Sequence, residues 1–168
     1  MTGIGVGLLA TLTRNLAATD ASLDEVEAWL QRHRTSVRML VVPDRFDPTA
    51  TQRRLTSTLL TGRPMLQGGG ASGRMDRSRG LRSRRATVAA IEKFFIEHTT
   101  STGDLHLALG HGDAAGAIDP FLDVLERIHP DAQIDMVGRV GPRLLQQLGS
   151  RCVAAAWLET SSAPATPA

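Results

Sequence analysis

From Val37 onward the chain alternates short apolar runs with segments of helical periodicity, and this alternation limits its possible folds more than any other feature. Val37 to Val42 is β-branched and apolar almost throughout and is stopped by Pro43-Asp44, the pattern of a strand covered on both faces at the centre of a sheet. Leu105 to Gly110 places Leu105, Leu107 and Leu109 on one face and His106 and Ala108 on the other. Ile134 to Gly138 and Cys152 to Trp157 are two further strands. Between them, Asp47-Pro48-Thr49 can start a short helix with Leu55, Leu59 and Leu60 inward. Ser83 is placed to cap a helix with Val88, Ile91, Phe94 and Phe95 inward, ending near His98. Ile118, Phe121, Leu122, Leu125 and Ile128 mark another, and Pro142 to Leu148 is a helical turn. Alternating strands and helices imply an α/β fold: one domain with a layered mixed sheet of about four to five strands flanked by helices.

Two helices precede the first strand. Val6, Leu9, Ala10, Leu12 and Leu16 predict an amphipathic helix over Gly5 to Ala18. Ser22 with Glu25 forms a capping box for a second helix, which reaches about His33 with Val26, Trp29 and Leu30 inward. The predicted domain covers residues 1–158. Residues 159–168 are expected to be a flexible tail, since Ser161 to Ala168 has nothing to bury. A chain of 168 residues suits one domain, and a 42% apolar share excludes general disorder.

The most distinctive stretch runs from Arg63 to Ala90. Pro64-Met65-Leu66 reads as a short edge strand, because proline cannot donate to a ladder. Gln67 to Gly73, rich in glycine, reads as the hairpin turn, and Arg74 to Leu81 as the partner strand. Ten arginines lie between Arg45 and Arg85 against two aspartates, a local charge of +8. The remaining nine bases and fifteen acids give −6, so the modest net charge of +2 conceals a basic patch. Eighteen of the nineteen basic residues are arginine, the side chain suited to bidentate contacts with carboxylates and phosphates.

The glycine spacing of Gly68 to Gly73 resembles a phosphate-binding loop, but Arg74 and Met75 stand where that loop needs Lys and Ser or Thr. His106, His111 and Asp113 are close in sequence. The two histidines are five apart on a strand and face opposite sides, which argues against a shared metal. His111 follows the strand's carboxyl end, where it can meet a ligand, while Asp113 can cap the next helix. No serine sits in a nucleophile elbow, and Cys152 lies in an apolar strand, so no catalytic residue, metal or cofactor is expected. An enzyme using His111 and Asp113 is the weakest reading. The arginine cluster is open to three: a solvated face, a surface for an acidic protein or anionic ligand, and nucleic-acid binding. Nucleic acid is disfavoured, because the segment has no aromatic residue to stack on bases and the chain has no tyrosine. A single cysteine precludes an internal disulfide, and neither a membrane span nor a signal peptide is apparent, so a cytoplasmic location is expected.

Four segments, in order, resemble the carboxy-terminal half of DegV-family proteins, the bacterial fatty-acid-binding group. They are Leu59 through Leu66, with its Gly62-Arg63-Pro64-Met65; Leu81-Arg82-Ser83-Arg84-Arg85-Ala86; Leu109-Gly110-His111-Gly112-Asp113; and Val140-Gly141-Pro142 through Trp157. The resemblance extends from about Gly3 to Trp157. Two departures stand out: Phe46 to Leu55 replaces a Gly-Gly-Arg-Ile-like segment, and Gln147-Leu148-Gly149-Ser150-Arg151 stands where the family has His-Thr-Gly-Pro-Gly. The resemblance implies a non-enzymatic carrier lobe that supplies much of a pocket for a fatty acid or related acyl lipid. It implies a separate kinase component as partner and a preceding lobe, in this chain's own context or in a partner chain, whose hydroxyls hold the head group. It makes Arg63, Met65, Arg82, Ile91, His111 and Gln147 the ligand-binding positions. Arg77, Arg79, Arg84 and Arg85 would face a partner, and an oligomer is compatible with the sequence. The alternative expectation is an interaction module whose arginine-rich strand and helix dock on an acidic protein or nucleic acid.

Overall fold

A computed structural model of the chain describes residues 3–44, 65–69, 75–77, 83–100 and 103–160. The helix expected over residues 47–60, the hairpin tip and the carboxy-terminal tail beyond Thr160 lie outside the described residues.

Helix α1 (Gly3–Ala17) buries Ile4, Leu8, Leu9 and Leu12. The expected face is corrected: Val6 is 53% exposed and Ala10 is exposed as well. Ile4, Leu8 and Leu12 form an i, i+4 row, and turning Val6 inward would take that heavier row out of the core. Helix α2 (Leu23–His33) begins at the expected capping box. The Ser22 hydroxyl accepts from the Glu25 N–H at 3.3 Å, while the Ser22 backbone N–H donates to Glu25 Oε2 at 2.7 Å. Trp29 and Leu30 are half-buried beside α1's core.

The strands follow: β1 (Arg38–Val42), β2 (Leu66–Gly69), β3 (Met75–Arg77), β4 (Asp104–His111), β5 (Gln133–Arg139) and β6 (Val153–Thr160). Among the described residues they form one mixed sheet of six in the order β3-β2-β1-β6-β4-β5, with only β4 and β5 parallel. Helix α3 (Arg84–His98), helix α4 (Asp119–Ile128) and helix α5 (Pro142–Leu148) are the other described helices, with a 3-10 turn at Ala115–Ile118 before α4. Ser83 caps α3 as expected, accepting from the Ala86 N–H at 3.1 Å. The sheet extends to Thr160, two residues past the expected start of the tail.

Strand β2 departs from expectation in two ways. It lies between β3 and β1 rather than at the edge, and it runs through Gln67–Gly69, where a turn was expected. The described ladder with β1 begins at Leu66, and Pro64 lies outside the described residues. Gly69 has φ +132°, and a side chain there would come within 2.3 Å of the Val37 carbonyl oxygen, so glycine permits the close passage of β1 and β2.

Strand alternation divides the core in two. On one face Leu40, Val42, Leu105, Leu107, Leu109, Val153, Ala155 and Trp157 pack under α3 and α4. Phe95 meets Trp157 at 4.8 Å between ring centroids and Phe121 edge-on at 6.5 Å. On the other face Met39, Val41, Ala108, Ala154, Ala156 and Leu158 pack with α1 and with Leu148 of α5. The result is a three-layer arrangement of helix, sheet and helix.

Candidate functional site

Strands β1, β4 and β5 point the same way, so their carboxyl ends share one rim of the sheet with the amino end of β6. The antiparallel pairs bring the start of β2 and the end of β3 to the same rim. Ligands of open α/β sheets bind outside strand carboxyl ends. Pro43-Asp44, Met65, Arg77, His111-Gly112-Asp113 and Arg139 are gathered here, and α5, carrying Gln147, lies over the rim, with the Asp44 N–H donating to the Leu148 carbonyl at 2.8 Å.

His111 ends β4 directly opposite Arg139 of β5 and Val153 of β6. Its Nδ1 donates to the Gly112 carbonyl at 2.7 Å, which fixes the proton on Nδ1 because a carbonyl only accepts. The next peptide is clamped to the backbone before β6: the Gly112 N–H donates to the Cys152 carbonyl at 2.9 Å and the Asp113 N–H to Ser150 at 2.6 Å. A Cβ at Gly112 would lie 2.0 Å from the Ser150 oxygen, so only glycine fits. From the other side, the Val140 N–H donates to the His111 carbonyl at 2.7 Å, and Arg139 pairs with the Asp113 carboxylate.

Asp113 therefore does not cap the next helix. The residue preceding α4 is Ile118, which has no side-chain capping bond, and the intervening 3-10 turn carries the chain away from Asp113. His106 lies on the opposite face from His111, as expected, and pairs with Asp135 at 3.0 Å. Among the described residues no three His, Cys, Asp or Glu side chains are placed to hold a metal ion. Cys152 is fully buried; burial pushes its thiol pKa up, and the charges of Asp44 and Asp113 add to the rise against an opposing backbone hydrogen bond.

Met65 is buried and shares the α3-side core with Val42, Ile91 and Ile118. Ile91, two turns into α3, is 1% exposed. Gln147 is half-buried on α5 and Arg85 is exposed in the first turn of α3. Arg77 and Arg84 are placed by their backbones, at the end of β3 and the start of α3. Arg63, Arg79 and Arg82 lie outside the described residues. Sequence reasoning missed Arg139 and the His106–Asp135 pair, both of which depend on which strand neighbours β4.

These features define a three-layer α/β lobe with a polar rim along its parallel strand ends. Its fold is that of part of the DegV-family proteins. A DegV family protein from Eubacterium eligens, loaded with heptadecanoic acid, matches with a TM-score of 0.72 and 11% identity over 91% of this chain and 56% of that one. A fatty-acid-binding DegV family protein from Thermus thermophilus matches at 0.72 and 17% over 93% and 57%. The Streptococcus pneumoniae fatty acid kinase B3 protein, loaded with linoleic acid, matches at 0.71 and 16% over 93% and 56%. The chain thus spans a little over half the length of these structures. No protein-family model and no curated protein matches the sequence. Among the described residues no helix is long and apolar enough to cross a membrane.

Proposed function

We propose that this lobe binds the acyl chain of a long-chain fatty acid or related lipid and presents it to a partner such as a kinase component, acting as a carrier rather than an enzyme. The observation that carries this reading is a juxtaposition on a fold shared with proteins loaded with heptadecanoic and linoleic acid. The apolar core containing Val42, Met65, Ile91 and Ile118 reaches the same rim at which His111 and Gln147 stand. In this reading Met65 and Ile91 line the acyl chain. His111 and Gln147 face the head group, and Arg63 and Arg82 are proposed as further ligand contacts. A further lobe, in the same polypeptide or a partner chain, supplies head-group hydroxyls. The cytoplasm is the proposed location, which suits a single buried cysteine.

Arg77, Arg79, Arg84 and Arg85 are the proposed partner surface. Arg84 and Arg85 occupy the first turn of α3, which holds no acidic residue. Cations at this positive end of a helix are electrostatically unfavourable, so their position supports a role in docking an acidic partner rather than in stability.

Burial of an acyl chain contributes about 0.8 kcal/mol per methylene, enough for a competent site to retain lipid through purification. Native mass spectrometry of the purified protein is expected to show an added fatty-acid mass that organic extraction removes. A clean apo mass, with no uptake of added oleate, would refute the proposal.

A further inference from the structure

The geometry points to Gly112 and Arg139 as positioning residues that set the tautomer and aim of His111. This inference rests on the proposed ligand role of His111. Among the described residues the imidazole has one hydrogen-bond partner, the Gly112 carbonyl; that bond uses the Nδ1 proton and turns Nε2 toward a ligand, and because a carboxylate only accepts, Nε2 must carry a proton as well to bind a fatty-acid anion. The aim of Nε2, and in the ligand-free ring the site of the proton, therefore depend on the direction of one carbonyl.

That carbonyl belongs to a peptide with little freedom. The Gly112 and Asp113 N–H groups both donate to the Ser150–Cys152 backbone, and Leu145 of α5 lies 3.0 Å from where a Gly112 Cβ would be. Only a residue without a side chain can lie this close, so Gly112 aims its carbonyl at its own neighbour's ring. On the solvent side the pair between Asp113 and Arg139 ties the loop to the end of β5. Arg139 and His111 are register partners in the parallel ladder, so the strand that supplies the tether is also the one beside the imidazole. The pair is half-exposed and contributes little to overall stability, but it restrains the residue after the carbonyl that orients the ring.

The test uses the whole chain labelled with ¹⁵N at histidine. Ring nitrogen shifts give the tautomer of His111, assigned by its loss in His111→Ala, and displacement of a dansylated undecanoic acid by oleate gives affinity. Ligand-free wild type should show the proton on Nδ1. Arg139→Gln, at an exposed position that does not threaten folding, should give a mixed tautomer signature and weaken oleate binding about tenfold, at the lower end of the loss seen when a ligating histidine loses its orienting partner. Arg139→Lys should restore much of both. Gly112→Ala should show the larger effect in each measurement. A proton on Nε2 in ligand-free wild type, or an unchanged tautomer in Arg139→Gln and Gly112→Ala, would overturn the inference. So would altered tautomers with unchanged affinity. If instead His111→Ala binds oleate normally, the ligand role of His111 fails, and the nitrogen shifts still report on the positioning.

Discussion

Arg85→Glu should make the protein more stable while impairing docking to its partner. Helix α3 is capped by Ser83 and carries two arginines and no acid in its first turn, against the positive end of the helix dipole. A misplaced charge at that position costs about 0.3–1 kcal/mol, and a carboxylate there gains a similar amount. Reversal should therefore shift stability by about 0.6–2 kcal/mol in favour of folding at low ionic strength. Arg85 is exposed, so ordinary salt screens the effect toward the lower end of that range. Because Ile91, Phe94 and Phe95 seat α3 in the core, stabilising this helix should stabilise the whole fold. Urea titrations at low salt and at about 0.5 M salt measure it. The midpoint should rise in Arg85→Glu, rise about half as far in Arg85→Gln, and lose most of the gain in high salt. A lower midpoint for Arg85→Glu, or a gain indifferent to salt, would refute the electrostatic argument and remove the reason for assigning Arg85 to docking.

Three further predictions concern the fold and its titrating groups. Phe95 is fully buried against Trp157 and Phe121, so Phe95→Ala should lose about 3–5 kcal/mol by chemical denaturation, and a loss below about 1 kcal/mol would contradict the packing. The Glu25 carboxyl is held below its ordinary range first by the Ser22 backbone N–H and then by the Ser22 hydroxyl. Its contribution is present above the unfolded-state carboxylate pKa and is lost as pH falls through the lower, folded-state value. Glu25→Gln should thus lower the urea midpoint at neutral pH and match wild type once both are acidified past that range. Burial keeps Cys152 a thiol, so iodoacetamide should leave it unmodified in the native protein near pH 8 and label it in urea; fast native labelling would show that the site opens.

Local signals were written plainly in the sequence. Ser22 and Glu25 are three apart, Ser83 stands before a helical run, and Leu105, Leu107 and Leu109 alternate with smaller or polar neighbours; each needs only a few adjacent residues to be interpreted. The errors arose where a choice depended on something distant. Helix α1 offers two competing apolar rows, and the sheet's shape decides between them: Gly7, opposite Met136, allows the helix to approach the strands. The glycines of β2 look like a turn until β1 supplies a ladder for them. Asp113 looks like a cap until Arg139 arrives from the next strand, and His106 finds Asp135 only once β5 is known to lie beside β4. The carboxyl-end rim follows from strand order, which pairwise periodicity does not encode.

The place of β6 bears on how this protein is made. Strand β6 is the last described in the chain, yet it lies between β1 and β4 and contributes to both cores. Neither half of the sheet can close before it arrives, and its pairing with β1 joins the first and last described strands. Such non-local closure slows folding, so during synthesis β1 and β4 wait with their hydrophobic surfaces and hydrogen-bonding edges uncovered. Chains truncated before Trp157 should therefore aggregate instead of giving a smaller folded product.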